Sequence, residues 1–526
     1  MNHLAPAIVM RPLLLLPFVF LGACERHQAQ DAPPAAAAAA PAPSAPPATT
    51  IPAPDPAAIL NSVIRIGTTQ QAWNQGQPWE KLPPGKRRSL GAIVAPGKVL
   101  TTAEMAADAT YIELESSDGK RLAPARVIAV DYEANLALLG LAADTDTTFF
   151  DGTKPLEMAT TPTLGDTLEI VQLEENGTPL VTPGSLQSID IVSTFLPGQF
   201  FLTYEVKASM QSAANSFSLP VLHDGKLAGI LTSYDSKDQI SDVTATDIVA
   251  RFVEEAADGD YAGFPSLGIS ISRTEDANFR AWLKLPADTG GLYVSTVKAG
   301  GAADKAGLKK GDVIVAIDGH PIDRLGYFEN AHYGRLYWSH LIRGAKSAGD
   351  TVKLDLLRDG QPTPVEAVLD RRDERDQLVP AYTFGEAPSY LVKGGLVFQE
   401  LTRPLLEAFG EEWSSRAPLN LLDVYENPQK YESRGRRIVF LAGVIATPAT
   451  VGYEPLRNLI VTKVNGKDIK DMKTLIEAFA LPGTDGMDQI EFDEEKFSVH
   501  LDEAASDTVD TQLQQRGLSR LSRAGN

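Results

Sequence analysis

A chain that cuts or transfers a group needs a nucleophile and something to take its proton, and this chain is sparing with both. It holds one cysteine, Cys24, so no internal disulfide can form and no cysteine pair can hold a zinc. No histidine lies between Asn61 and Leu222. His223 comes next, beside Asp224-Gly225 in a hairpin-type turn, and His320, His332 and His340 follow without metal-ligand spacing; all are read as surface or turn residues. A serine hydroxyl is a weak nucleophile until a base takes its proton, and a carboxylate, with a pKa near about 4, matches that task badly. The first half of the chain therefore offers hydroxyls without an imidazole to activate them. No residue pattern asks for a metal or a cofactor.

The elements that would position such residues can be read from pattern. At 526 residues the chain is too long for one core, and three domains are expected. Acidic residues exceed basic ones by 20, which argues against a nucleic-acid partner, since phosphate binding needs clustered Lys and Arg. Residues 1–23 read as a signal peptide, with Arg11 ahead of an apolar run from Leu13 to Leu21. That run is too short for a membrane span and is interrupted by Pro17. Residues 24–56 are rich in Ala and Pro and cannot bury a core, so they read as an extended stalk. From residue 57 to 259 short alternating strands recur: Ser62 to Ile66, Leu90 to Val94 and Val99 to Thr102 around Pro96-Gly97, Tyr111 to Glu115, and Leu168 to Leu173. This spacing predicts an all-β sandwich or barrel.

Two resemblances sharpen the reading. Leu21-Gly22-Ala23-Cys24 resembles the lipobox of bacterial lipoproteins, which implies lipid on Cys24 and a membrane tether. Glu25 follows, where an aspartate is the usual inner-membrane retention signal, so the resemblance favours the outer membrane facing the periplasm. The order of strands in residues 57–259 resembles the trypsin-like serine proteases of the Deg/HtrA family. Val99 to Ala106 matches the segment that carries that family's histidine base and puts Glu104 there. Glu133 to Leu138 matches the segment of the orienting aspartate and puts Asn135 there. In the nucleophile segment, Ala214 to Pro220, alignment on Asn215-Ser216 keeps Ser216 as a remnant nucleophile, whereas alignment on Pro220 puts Phe217 in its place. The family's paired glycines after the serine, which let backbone N–H groups face a developing oxyanion, are replaced by Phe217 and Ser218. The resemblance therefore implies a trypsin-like double β-barrel with a degenerate triad.

Residues 262–372 resemble the PDZ domains of the same family, through Ala306-Gly307-Leu308-Lys309-Lys310-Gly311-Asp312-Val313-Ile314 and Ile317-Asp318-Gly319-His320-Pro321-Ile322. PDZ modules bind peptides by strand addition. The resemblance implies that Ser266, Leu267 and Gly268 cradle a terminal carboxylate and that the peptide pairs from Ile269. Leu336 and Leu341, on a helix expected within Tyr333 to Ile342, would form the apolar wall. Residues 378–505 resemble the second PDZ domain of plant-type Deg proteases, through Pro388-Ser389-Tyr390, Gly394-Gly395-Leu396-Val397-Phe398, Gly452-Tyr453-Glu454 and Asn465-Gly466. In that family this domain tends to hold neighbouring chain in its own groove. Met472 to Phe479 reads as helix, and the polar tail, residues 506–526, as a short helix or frayed end. The fold class is thus mainly β, a double barrel followed by two PDZ (α+β) domains.

The resulting expectation is a lipid-anchored envelope pseudoprotease that binds peptides or unfolded envelope proteins as adaptor or scaffold. The family implies a homo-oligomer, a trimer or larger ring. The alternative is an active serine endopeptidase with a non-standard base, Lys207 being one candidate. A third reading is regulation of an active Deg partner by mixed assembly.

Overall fold

Alternation of buried and open side chains along Val63–Gln70 marks a strand with one face inward, and eleven more such strands follow. β1 Val63–Gln70, β2 Gly85–Ala95, β3 Lys98–Thr101, β4 Ala109–Ser116, β5 Leu122–Asp131 and β6 Leu136–Leu141 close a barrel in the order β1-β2-β3-β6-β5-β4. β7 Thr167–Leu173, β8 Pro179–Ser193, β9 Phe200–Lys207, β10 Leu219–His223, β11 Lys226–Asp235 and β12 Ile240–Thr244 close a second, in the order β10-β11-β12-β9-β8-β7. Closure leaves neither sheet with a free edge. The structure is a computed structural model and describes residues 59–142, 147–193, 195–210, 218–371, 373–493, 498–518 and 520–525. Ile64, Ile66, Ile93 and Leu114 fill the first barrel, and Leu168, Tyr204, Val221 and Ile230 the second. The helix Thr246–Glu255 buries Ile248, Val249 and Phe252.

The first PDZ sheet contains β13 Ile269–Ser272, β14 Leu292–Val297, β15 Val313–Ile317, β16 His320–Pro321, β19 Thr351–Arg358 and β20 Gln361–Val368, with β17 Tyr327–Asn330 and β18 Gly334–Tyr337 forming a separate hairpin. β13 is the outermost strand. The second contains β21 Tyr390–Lys393, β22 Leu396–Glu400, β23 Val439–Val444, β24 Leu459–Val464, β25 Lys467–Asp468, β26 Met487–Phe492, β27 Ser498–Asp502 and β28 Ser522–Arg523, in the order β27-β26-β24-β23-β22-β21-β28 with β25 on β24. The trypsin-like double barrel followed by two PDZ domains is as the sequence predicts.

Two local expectations are corrected. Leu336 lies on β18, wholly buried, rather than on a helix. The Asn330 side chain accepts from the N–H groups of His332 and Tyr333, and this turn folds the segment into a hairpin and leaves only His340–Arg343 as helix. His340 is buried rather than superficial, and burial lowers its pKa. The tail forms a helix, Glu503–Gln515, capped by the Asp502 side chain, and then returns as β28.

One apolar cluster spans parts of both barrels and the first PDZ domain, from Ile59 to Leu369; the first barrel has an interior cluster besides, and the second PDZ domain has cores of its own. Ion pairs reinforce the first junction. Arg371 lies 3.0 Å from Asp131 and 3.3 Å from Glu133, Arg343 lies 3.2 Å from Glu133, and the Tyr261 hydroxyl donates to Asp131 at 2.8 Å. Both carboxylates are buried.

Candidate functional site

β3 runs into a short helical turn, Ala103–Met105, entered through Thr102 in extended conformation. Glu104 stands in that turn. Its backbone N–H donates to Asn135 Oδ1 at 3.2 Å, and its carbonyl accepts from the Gln70 side chain. Asn135 is buried and left-handed, with φ 56°, in the turn between β5 and β6. The two residues predicted to stand at the base and orienting positions are therefore joined. The Glu104 carboxylate is partly open and lies 3.3 Å from Arg87. Burial raises its pKa and the Arg87 charge opposes the rise. An open pair of this kind stabilises the fold by about 0–1 kcal/mol.

Ser216 and Phe217 lie outside the described residues, as does Cys24. The first described residue of the nucleophile segment, Ser218, is buried. Its Oγ lies 3.0 Å from Thr101 Oγ1 and accepts from the Thr102 N–H at 3.3 Å, which fastens this part of the segment to the Glu104 turn. Neither candidate base from elsewhere is directed at this junction. His223 closes the β10–β11 hairpin opposite Lys226, about 16 Å of extended chain beyond Ser218, with its Nε2 3.8 Å from Asp166. The exposed Lys207 donates its ammonium to the Asp238 carbonyl.

A cleft of about 300 Å3 opens at Glu104, lined by Gln70, Arg87, Asp108, Phe195 and Phe384 among others. Phe384 belongs to the leading segment of the second PDZ domain, ahead of β21. Sequence reasoning missed it, because it lies 280 positions from Glu104 and carries no motif.

In the first PDZ domain Ser266, Leu267, Gly268 and Ile269 form one continuous loop and strand entry. The Ser266 N–H donates to the Asp370 carbonyl, and its Oγ accepts from the Gly268 N–H at 3.1 Å. Gly268 has φ +72°, which favours glycine. The Leu267 and Gly268 carbonyls accept from Ala303 and Lys298, so the loop is anchored from behind. Ile269 opens β13 opposite Val297, and the outer edge of β13 carries no strand among the described residues. Leu341 is buried in the short helix His340–Arg343.

The second PDZ domain differs at this edge. The series β22-β23-β24, with β25 on β24, repeats β13-β14-β15 with β16 on β15. β22 is thus the counterpart of β13, and β21 pairs antiparallel along it where a peptide would add. A Gly394-Gly395 turn with φ +60° and +104° makes the hairpin, and a Cβ on Gly395 would meet the Ile445 carbonyl at 2.7 Å. β28 in turn covers β21. This groove is filled by its own chain, as the resemblance implies.

Comparisons with known proteins agree with this architecture. Residues 265–369 and 379–516 each match a PDZ domain model. The chain is 29% identical over 427 residues to Protease Do-like 2, chloroplastic, of Arabidopsis thaliana, covering 80% of this chain and 68% of that protein. It is 26% identical over 469 residues to Protease Do-like 4, mitochondrial, of the same plant, covering 89% and 85%. Among solved structures it is similar to the HtrA-type protease AlgW with decapeptide, at 19% identity and a TM-score of 0.45, covering 60% of this chain and 96% of that one. The double barrel, the two PDZ domains and the similarity over four-fifths of the chain together support its place in the Deg/HtrA family.

Proposed function

We propose that this protein is a pseudoprotease of the plant-type Deg branch, anchored in a bacterial envelope by lipid on Cys24. Its first PDZ domain captures exposed C-termini and extended segments of envelope proteins, in the role of adaptor or chaperone-like scaffold. Through the habit of its family it works as a homo-oligomer.

The supporting observation is a contrast between two sites. The base position holds Glu104, turned to Arg87, with Asn135 spent on a backbone N–H. The β13 edge has a built loop at Ser266 to Gly268 and no strand upon it among the described residues. A site without an imidazole cannot readily activate a hydroxyl, whereas an open PDZ edge supplies main-chain hydrogen bonds to any extended peptide.

The test is a titration of the full chain with fluorescein-labelled peptides, free or amidated at the C-terminus, followed by anisotropy. The free peptide is expected to bind at least tenfold more tightly than the amide, and Gly268→Val to abolish the difference. A fluorophosphonate probe is expected to leave the protein unlabelled. Labelling that is lost in Ser216→Ala, together with casein cleavage, would establish the alternative, an active endopeptidase with an unconventional base.

A further inference from the structure

The second PDZ domain carries a cleft that strand addition does not explain. Phe398 on β22 and Leu441 on β23 belong to one of the domain's cores. Their neighbours on the opposite face of the same strands, Val397 paired with Gly443 and Gln399 paired with Phe440, line a cleft of about 420 Å3. Leu405, on the helix Arg403–Glu407, and Phe409 just beyond it also line it. So does Trp79, from the connection between β1 and β2, which is braced edge-on against Tyr390 at 5.9 Å.

Three features of this cleft point to a ligand. It is neutral: none of its lining residues carries a charge, in a chain whose acidic residues exceed basic ones by 20. Its donors are unused. Gln399 is 4% exposed, yet its side-chain amide makes no hydrogen bond among the described residues, and the Trp79 indole N–H and the Asn458 side chain make none either. A buried amide is as a rule hydrogen-bonded, so Gln399 lacks an acceptor that a ligand carbonyl would supply. There is also room at the strand itself. A Cβ on Gly443 would meet nothing within 4 Å, and a glycine inside a strand lets another backbone come close.

The occupant is not an added strand. β22 lies between β21 and β23, and β23 between β22 and β24, so neither offers an edge. A charged ligand would lose its water and find no partner. What fits is an uncharged chain with rings to lay on Trp79 and Phe409 and carbonyls to accept from Gln399. A polyproline II segment has these properties. It makes no internal hydrogen bonds, so its carbonyls are free. Its prolines have no N–H to leave unpaired against Val397 and Phe440. Such segments dock in aromatic-lined grooves because their conformation is already set.

We propose that this cleft binds uncharged, proline-rich segments of partner proteins in the polyproline II conformation, with Trp79 and Phe409 packed on proline rings and Gln399 donating to a ligand carbonyl. The site is separate from the β13 edge. It needs no chain terminus, and it draws on a barrel connection as well as on the second PDZ domain.

The experiment is a calorimetric titration of the full chain with a peptide of four Ala-Pro-Pro repeats and, as control, one of four Ala-Ser-Ala repeats. Both are acetylated and amidated, which leaves nothing for Ser266 to Gly268 to hold. The proline peptide is expected to bind at least tenfold more tightly than the control. Gly443→Leu fills the cleft from a position where the added side chain starts clear of its neighbours, and is expected to weaken proline-peptide binding at least tenfold. Gln399→Leu removes the unused amide at nearly constant volume. It is expected to weaken binding about fivefold, the loss of one neutral hydrogen bond, while the melting temperature holds or rises. That combination separates binding from folding, should Gly443→Leu fold poorly. Equal or absent binding of the two peptides by the unaltered chain, or undiminished binding by Gln399→Leu, would overturn the proposal. So would an oligomer that dissociates in Gly443→Leu on sedimentation while no peptide binds, which would make the cleft a contact between copies. Because neither peptide has a free carboxylate, all of these outcomes leave the reading of the first PDZ domain untouched.

Discussion

Glu133 is the residue whose setting is least expected from its chemistry. It is 2% exposed, two positions from Asn135. Burial and the neighbouring Asp131 charge outweigh the guanidinium groups of Arg343 and Arg371, and its pKa is pushed up to about 7. In the unfolded chain the same carboxyl titrates near 4.5. Between those values the folded protein holds a proton that the unfolded chain has released, so stability falls as pH rises through that window. The unaltered chain is expected to melt at a lower temperature at about pH 8 than at about pH 5, and Glu133→Gln to narrow the difference, as read by calorimetry in matched buffers. A slope unchanged by the substitution would remove Glu133 as its source. At this scale Glu104 and Asn135 were legible, because each sits in a segment with a recognisable frame. Asp131, Glu133 and Arg371 were not. The Asp131–Arg371 pair spans 240 positions, and periodicity carries no information across that distance.

Elements with a local cause were read correctly. The helix Met472–Phe479 begins at a reciprocal capping box between Asp471 and Thr474, and such a cap is written in neighbouring residues. Strand β28 is different. It has two residues and exists because β21 offers an edge; Tyr390 donates its hydroxyl to the Arg520 carbonyl across 130 positions. Arg523 lies over Trp73 at 4.5 Å and over Tyr390 at 5.3 Å, which joins the β1–β2 connection to the second PDZ domain. Leu336 fell to the same kind of cause, since a side-chain turn at Asn330 outweighed an apolar spacing that suits a helix. Removing residues 519–526 forfeits a cation–π contact and several hydrogen bonds, about 1–3 kcal/mol in all. The truncated chain is expected to unfold at lower urea and, with β21 now bare, to self-associate in sedimentation; a chain that stays monomeric and equally stable would show that β28 contributes little.

At the scale of the whole molecule the partition of the apolar core matters most. Both barrels and the first PDZ domain share one cluster, and the first barrel's interior cluster is built on the same strands, while the second PDZ domain keeps separate ones. Calorimetry is therefore expected to resolve two transitions. Arg371→Ala strands the buried Asp131 charge, at a cost of about 3–5 kcal/mol, and should lower the transition of the barrels and first PDZ domain. Asp471→Ala, at about 1 kcal/mol, should lower the other. A single transition moved equally by both substitutions would mean that the cores melt together. The shared core also fixes the setting of β13 against the Glu104 cleft. A peptide strand added to β13 would then keep one direction relative to the two barrels, whatever its sequence.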